Sequence, residues 1–129
     1  MNTLIISLIL AALLPFIAKI PLVVAMHKAG GYDNKHPRQQ QASLTGFGAR
    51  ALAGHQNAFE SLIIFAPAIA LAVATGTTGD AVQTLALMHI VFRVVYHVLY
   101  LVNVSTLRSI SWLLAIGCSF AIMWHCIAS

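Results

Sequence analysis

Residues 50–65 read RALAGHQNAFESLIIF, and the apolar run that follows them, APAIALAVA, continues to residue 74. An arginine, a histidine, an asparagine and a glutamate therefore stand directly against a segment that is long enough to cross a bilayer, which takes about 20 residues of helix. Charged groups at that depth are costly, and those that occur usually face the interior of a helical bundle. This stretch predicts a membrane helix with a polar site at one end.

The rest of the chain has the composition of a membrane protein. Of its 129 residues, 60% are hydrophobic and 8% are charged, with a mean hydropathy of +0.88, whereas a soluble domain is about 25% charged. Barrel strands would show alternation, which is absent, and an open sheet would leave backbone groups unpaired in lipid. We predict one all-α domain, residues 1–129, forming an integral membrane four-helix bundle with spans at roughly 3–26, 47–74, 81–104 and 109–128.

The basic residues predict the orientation of these spans. Neither terminus has a Lys or Arg, nor does the second connection, TGTTGD at 75–80. The other two connections contain Lys28, Lys35, Arg38, Arg50 and Arg108. The positive-inside rule places both basic connections in the cytoplasm and both termini outside, as expected for a multi-pass protein of a bacterial inner membrane. The net charge of +4 reflects this topology, and no nucleic-acid partner is expected without a denser basic face.

Three local features of the sequence give further predictions. Thr78 and Asp80 precede the third span and are expected to cap its first turn. Lys19 lies inside the first span, where it either extends outward to the interface or joins the polar site. Residues 27–46 are rich in turn-forming residues, and this segment is either a solvated loop or a rim over the site.

Polar residues share one face of the second and third spans. At about 100° per residue, Arg50 and Asn57 nearly superpose, and Glu60 lies one turn further along. Because Glu60 is the one acidic residue in the spans apart from Asp80, we expect it to pair with Arg93, with Arg50 as the competing partner. The third span repeats the pattern over about one third of its circumference with His89, Arg93, Tyr96, His97 and Tyr100.

The guanidinium groups outnumber the carboxylates on the cytoplasmic side. Arg50, Arg93 and Arg108 face one glutamate, and unpaired buried charge is unfavourable. Arginine suits bidentate contact with carboxylate, so the excess predicts a site for an anionic ligand. A single Glu–Arg pair could instead serve only to hold the helices together, but this explains less of the positive excess.

Two motifs in these spans resemble those of a known family. RALAGHQNAFE, which includes His55, Asn57 and Glu60, is similar to the RAHxNxxE signature of MAPEG, the membrane-associated proteins in eicosanoid and glutathione metabolism. RVVYHVLY at 93–100, followed by Leu-Arg-Ser at 107–109, resembles the RxxYxxxY motif of the family and the arginine after it. GGYDNKHPRQQQ and GFGARALAGHQN resemble the bacterial branch. The likeness covers nearly the whole chain.

The resemblance implies a homotrimer that binds glutathione, as co-substrate, between neighbouring subunits near the cytoplasmic face. Arg108 and Ser109 match the residues assigned to thiol activation in the leukotriene and prostaglandin E synthases of the family. A guanidinium next to a thiol favours the thiolate, which is the nucleophile. No metal site is implied. The other candidate glutathione contacts are Arg50, Asn57, Glu60, Arg93, Tyr96 and Tyr100.

The chain also departs from the family pattern. Ala53 and Trp112 stand where well-studied members carry an arginine and a tyrosine, and the spacing from Tyr100 to Arg108 differs by one residue. The leading hypothesis is a glutathione-dependent membrane enzyme that transfers glutathione to lipophilic electrophiles or reduces peroxides. The alternative is a non-catalytic MAPEG-like membrane protein that binds an anionic lipid or amphiphile. A small transporter is the third hypothesis, disfavoured because the outer halves of the spans offer few polar groups.

Overall fold

The fold is all-helical. A computed structural model describes every residue, 1–129, and contains no strand. Four helices are long and apolar enough to cross a membrane, which confirms the predicted four-helix membrane bundle and an integral, multi-pass protein. In chain order the helices are α1 (Asn2–Lys28), α2 (Pro37–Ser43), α3 (Phe47–Ala74), α4 (Asp80–Leu101) and α5 (Ser105–Ala128), of which α2 is the short one.

The connections differ from the sequence-based expectation at two points. The capping of α4 by Thr78 and Asp80 is wrong, because the residue before the helix is Gly79 and no side chain caps the first turn. The Thr78 carbonyl instead accepts a hydrogen bond from Gln83 Nε2 at 2.8 Å. The third span ends earlier than predicted, at Leu101 rather than near residue 104, and α5 begins at Ser105. It turns through Asn103, whose φ of 63° lies in the left-handed region that asparagine tolerates.

The loop after α1 contains the helix α2, which the sequence did not predict. Pro37 occupies the first turn of α2, where its missing N–H costs nothing. The Gln40 side chain ties the loop together: Nε2 donates to the carbonyls of Gly31 at 2.7 Å and Met26 at 3.3 Å. Its Oε1 accepts from the Asp33 backbone N–H at 2.9 Å. These bonds hold α2 against the end of α1.

The four long helices pack through small residues. α1 packs mainly on α3, and α4 mainly on α5, while α3 also contacts α4 and α5. Phe65 of α3 is the largest apolar side chain in this core, and Leu4, Ile69 and Ile122 belong to the same cluster. Small side chains let helices approach closely in a membrane, where burial away from lipid gives no hydrophobic gain. The buried alanines are Ala11, Ala25, Ala51, Ala58, Ala68, Ala72, Ala86 and Ala115.

A matched pair of glycine substitutions tests this packing. A Cβ added at Gly48 would lie 3.0 Å from Leu44 Cβ and 3.3 Å from Ala25 Cβ, whereas one added at Gly117 would meet nothing within 4 Å. We expect Gly48→Ala to destabilise the fold by about 1–2 kcal/mol, the cost of overpacking less the helix preference for alanine. Gly117→Ala should leave the melting temperature in detergent unchanged or raise it. Equal melting temperatures for the two variants would contradict the close α1–α3 contact.

Candidate functional site

Most of the residues that the sequence singled out lie at the end of the bundle where α3 begins and α4 ends. Arg50 is in the first turn of α3, and its Nη2 donates to the Leu101 carbonyl at the end of α4, at 3.4 Å. Its Nε is buried and has no partner within the chain. Arg50 thus links the start of α3 to the end of α4 by one long hydrogen bond, and its Nε remains free to donate another.

Two tyrosines of α4 lie between two arginines, one on α4 and one on α5. The Arg93 guanidinium lies 4.3 Å from the centroid of the Tyr96 ring, and the Arg108 guanidinium lies 4.4 Å from that of Tyr100. The two tyrosine rings meet edge to face at 5.6 Å. Ring faces attract cations through their quadrupole, so these four residues form a continuous cluster of positive charge and aromatic surface. Arg50 lines a small cavity together with Tyr100, and we call these four residues and Arg50 the arginine–tyrosine cluster.

The expected pairing of Glu60 with Arg93 is wrong within the chain. Glu60 is exposed, while Arg93 is 1% exposed and its Nη1 and Nη2 have no hydrogen-bond partner. The one basic–acidic contact of ion-pair length joins His36 Nδ1 and Asp33 Oδ2 in the loop after α1, at 3.9 Å, and is an ion pair only when His36 is protonated. The two charges lie on neighbouring helices, but the exposed carboxylate does not come within ion-pair distance of the buried guanidinium.

Unpartnered buried atoms concentrate between α3 and α4. Besides Arg50 and Arg93, they are Asn57 Oδ1 and His97 Nε2. His97 packs closely on α3 because Gly54 has no side chain, and a Cβ there would lie 3.3 Å from His97 Nδ1. Buried polar groups are nearly always hydrogen-bonded. A set of unpartnered ones on two facing helices marks this seam as the candidate binding region.

Arg108 and Ser109, the two residues matched to thiol activation, differ in their exposure. Arg108 is half-buried against Tyr100, whereas Ser109 is exposed. Ser109 lines an open depression of about 380 Å³ on α5, together with Thr106 and Leu113. The structure therefore brings Arg108 into the arginine–tyrosine cluster and places Ser109, like Glu60, on the outside of a single subunit.

His89, which shares the polar face of α4, has a packing role. Its ring stacks on Phe65 of α3 with centroids 4.0 Å apart and planes at 4°. Its Nδ1 lies 2.9 Å from the Ala115 carbonyl of α5. Because a carbonyl can only accept, Nδ1 carries the proton and donates. His89 thus joins three helices through its ring face and Nδ1.

Lys19, whose place the sequence left open, lies at a second polar cavity. This cavity has a volume of about 390 Å³ and is also lined by Arg38 and His55. This meeting of residues was not predictable from the sequence pattern, because Arg38 belongs to the helix α2, which was not expected.

Comparison with known proteins agrees with the resemblance carried by the two motifs. No curated protein and no solved structure matches the chain. The family model described as "MAPEG family" matches residues 3–128, which is nearly the full length and includes the arginine–tyrosine cluster. The chain belongs to the MAPEG family.

Proposed function

We propose that this protein is a glutathione-dependent membrane enzyme, which transfers glutathione to lipophilic electrophiles or uses it to reduce lipid hydroperoxides. The observation that carries the proposal is the arginine–tyrosine cluster, in which three guanidiniums meet no carboxylate. Glutathione is an anionic tripeptide, and its carboxylates would supply the charge that the cluster lacks. Charge-assisted hydrogen bonds from arginine to carboxylate are among the stronger polar contacts.

The position of each residue suggests its role. Arg50 has an unpartnered Nε and stands at the helix ends, where it can bind a carboxylate of the tripeptide. The Arg93 guanidinium packs on the Tyr96 ring. Its positive potential would act on a bound ligand through the low-dielectric interior. Tyr96 and Tyr100 provide the surface against which the ligand lies. Asn57 has a free amide oxygen that can accept from a ligand N–H.

We assign activation of the thiol to Arg108. It is half-buried, so its charge is only partly screened by solvent. A guanidinium in such a place lowers the pKa of a neighbouring thiol and holds the thiolate, and Ser109 can add a hydrogen bond. In conjugation, the thiolate sulfur forms the new bond to the electrophilic carbon, and the leaving group takes the displaced electron pair. Peroxide reduction consumes a second glutathione and yields the alcohol, water and the disulfide.

We place this site between subunits of a homotrimer in a bacterial inner membrane. Glu60 and Ser109 are exposed on one subunit, and a neighbouring subunit would enclose them. Leu107 and Ile110 are exposed on α5 close to Arg108, so a lipophilic substrate can reach the thiolate from the bilayer. Glutathione would enter from the cytoplasm, with both basic connections on that side and both termini outside.

A second candidate function is binding of an anionic lipid or amphiphile in the same cluster without catalysis. Two observations favour it. Ala53, half-buried on α3, brings no charge to the site. Trp112 is 39% exposed on α5 and lacks the hydroxyl of the tyrosine found in well-studied members. Either change reduces the polar contacts available to glutathione.

Replacing Arg108 tests catalysis. In the Arg108→Ala variant we expect turnover of a chlorodinitrobenzene electrophile with glutathione to fall by about a hundredfold or more, as when one contact to a developing anion is lost. Arg108→Lys should retain part of the activity. Lys35→Ala, which removes an exposed loop cation, is the matched control. Size-exclusion chromatography should show the same assembly for all variants. Wild-type turnover in Arg108→Ala would reject thiol activation by this residue.

Replacing Arg93 tests the binding region. A ligand that binds only the folded state raises the melting temperature, so millimolar glutathione should stabilise the wild-type protein in detergent. Arg93→Met should abolish this shift while leaving the ligand-free melting temperature equal or higher, because it removes an unpaired buried charge. His89→Phe should keep the shift and lose about 1 kcal/mol of stability with its hydrogen bond.

The same assay separates the two candidate functions. A glutathione shift that survives Arg93→Met would contradict the role of the guanidinium. Stabilisation by a fatty acid and not by glutathione, lost in both Arg93→Met and Arg108→Ala, would favour the second candidate.

A further inference from the structure

A cavity of the size of one water molecule lies between α1, α3 and α4, directly beside Arg50. It offers about 20 Å³ to the centre of a water molecule, and its polar lining consists of Arg50 and His55 of α3 and His97 of α4. A buried water needs about 10–15 Å³ of such space and two to four polar partners. The volume therefore admits one water molecule, and the lining decides whether it is bound.

Two of the lining residues bring a buried polar atom that has no hydrogen-bond partner within the chain. These atoms are Arg50 Nε and His97 Nε2, which belong to different helices whose shared space is this cavity. A buried polar group left unpaired costs about 1–3 kcal/mol, and nearly all such groups have a partner in the protein or in ordered water. One molecule that bonds both atoms removes both costs.

The His97 ring is held by contacts that do not use Nε2. A Cβ at Gly54 would lie 3.3 Å from His97 Nδ1, so the Nδ1 side of the ring packs closely on the α3 backbone. The ring also meets Tyr96 edge to face, with centroids 5.4 Å apart. Nε2 donates or accepts according to the tautomer of the ring, and a water molecule can do the reverse in either case. Water is therefore a suitable partner for His97 in both tautomers.

Two further groups at the wall of the cavity are hydrogen-bond acceptors. His55 Nδ1 lies 2.7 Å from the Pro15 carbonyl, and since a carbonyl only accepts, Nδ1 donates and Nε2 is left as an acceptor. Pro21 also lines the cavity and lacks an N–H, so the Ile17 carbonyl of α1 has no partner at position 21. A water that accepts from Arg50 Nε–H can donate to such acceptors and reach the three hydrogen bonds that buried waters typically make.

The size and the charge of the cavity favour water over other occupants. A tripeptide or a lipid headgroup is far larger than 20 Å³. A cation would meet the Arg50 guanidinium, and no carboxylate lines the cavity to hold it. A halide ion is larger than a water molecule and cannot donate a hydrogen bond to His55 Nε2. A neutral molecule that both donates and accepts fits this lining.

A bound water would also fix the plane of the Arg50 guanidinium. The one hydrogen bond of Arg50 within the chain, from Nη2 to the Leu101 carbonyl, is long at 3.4 Å. A second contact at Nε would define the plane, because the donors of a guanidinium form a rigid fork. Since Nε is buried beside the cavity, Nη1 is then the group left to meet a carboxylate. A side chain that is already ordered loses less entropy on binding its ligand.

We propose that this cavity binds one water molecule that links Arg50 Nε to His97 Nε2, and that His97 is thereby a positioning residue for Arg50. The water accepts from Arg50 Nε–H, donates to His55 Nε2 and uses its remaining position for His97 Nε2. The water site does not depend on whether the protein transfers glutathione. The positioning role rests on the proposed function, in which Arg50 binds a carboxylate of the tripeptide.

The water site is tested by NMR on the full-length, nitrogen-labelled protein in a neutral detergent, where Arg50→Lys identifies the Arg50 Nε–H resonance by its loss. In the wild type this proton should show a rotating-frame Overhauser contact to the water resonance, with the sign that separates it from proton exchange. His97→Phe keeps a ring but removes Nε2 and should lose the contact, whereas His97→Gln, whose amide can replace Nε2, should keep it. His89→Phe, which removes the other histidine of α4, is the matched control and should keep it too.

The positioning role is tested with glutathione. His97→Phe should raise the half-maximal concentration for thermal stabilisation by about tenfold, the effect of weakening one charge-assisted contact. KM for glutathione should rise by the same factor with kcat nearly unchanged, because a binding contact is weakened while Arg108 still acts on the thiol. His97→Gln should restore both values, and His89→Phe should bind glutathione as the wild type does.

The two parts of the proposal fail on different results. No Overhauser contact in the wild type, or one that persists in His97→Phe, would overturn the water bridge. An unchanged half-maximal concentration in His97→Phe, or no recovery in His97→Gln, would overturn the positioning role. His97→Leu takes the place of His97→Phe if the larger ring unfolds the bundle. If glutathione does not stabilise the wild type, the proposed function fails together with the positioning role, and the Overhauser contact still decides the water site.

Discussion

The site depends on one constraint, which is that a guanidinium is buried in a membrane bundle with no carboxylate paired to it. Arg93 is almost fully buried, and its guanidinium packs on the face of the Tyr96 ring. Such a group stays charged because arginine does not readily lose its proton. The surrounding helices must therefore supply aromatic surface that attracts the cation. Tyr96 and Tyr100 provide it and carry the positive region outward to Arg108 at the start of α5.

The spans could be read from the sequence because length and hydropathy are local properties. The grouping of Arg93, Tyr96 and Tyr100 on one face of α4 could be predicted for the same reason, because residues three and four apart share a helix face. The rotation of one helix against another is not local, and for that reason the sequence misjudged Glu60. It also missed α2, whose position depends on the hydrogen bonds of Gln40 to distant carbonyls. The contact of His55 with Pro15 likewise joins residues that are far apart in sequence.

The two positively charged regions differ in what they adjoin. The arginine–tyrosine cluster lies at the helix ends, next to the loops, where a water-soluble ligand can arrive. The cavity at Lys19 adjoins the exposed rings of Phe16 and Phe59. In the function that we propose, the first region receives a soluble tripeptide. His55 lines both the cavity at Lys19 and the small one beside Arg50.

The core of alanines and the exposed isoleucines, leucines and valines have a thermodynamic consequence. Helices that separate within a bilayer exchange protein contacts for lipid contacts, and no apolar surface becomes exposed to water. The large heat-capacity increase that accompanies unfolding of soluble domains comes from hydration of such surface. For this bundle, helix separation in lipid should carry almost none of it. Its stability should then vary nearly linearly with temperature, without the loss on cooling that weakens soluble proteins.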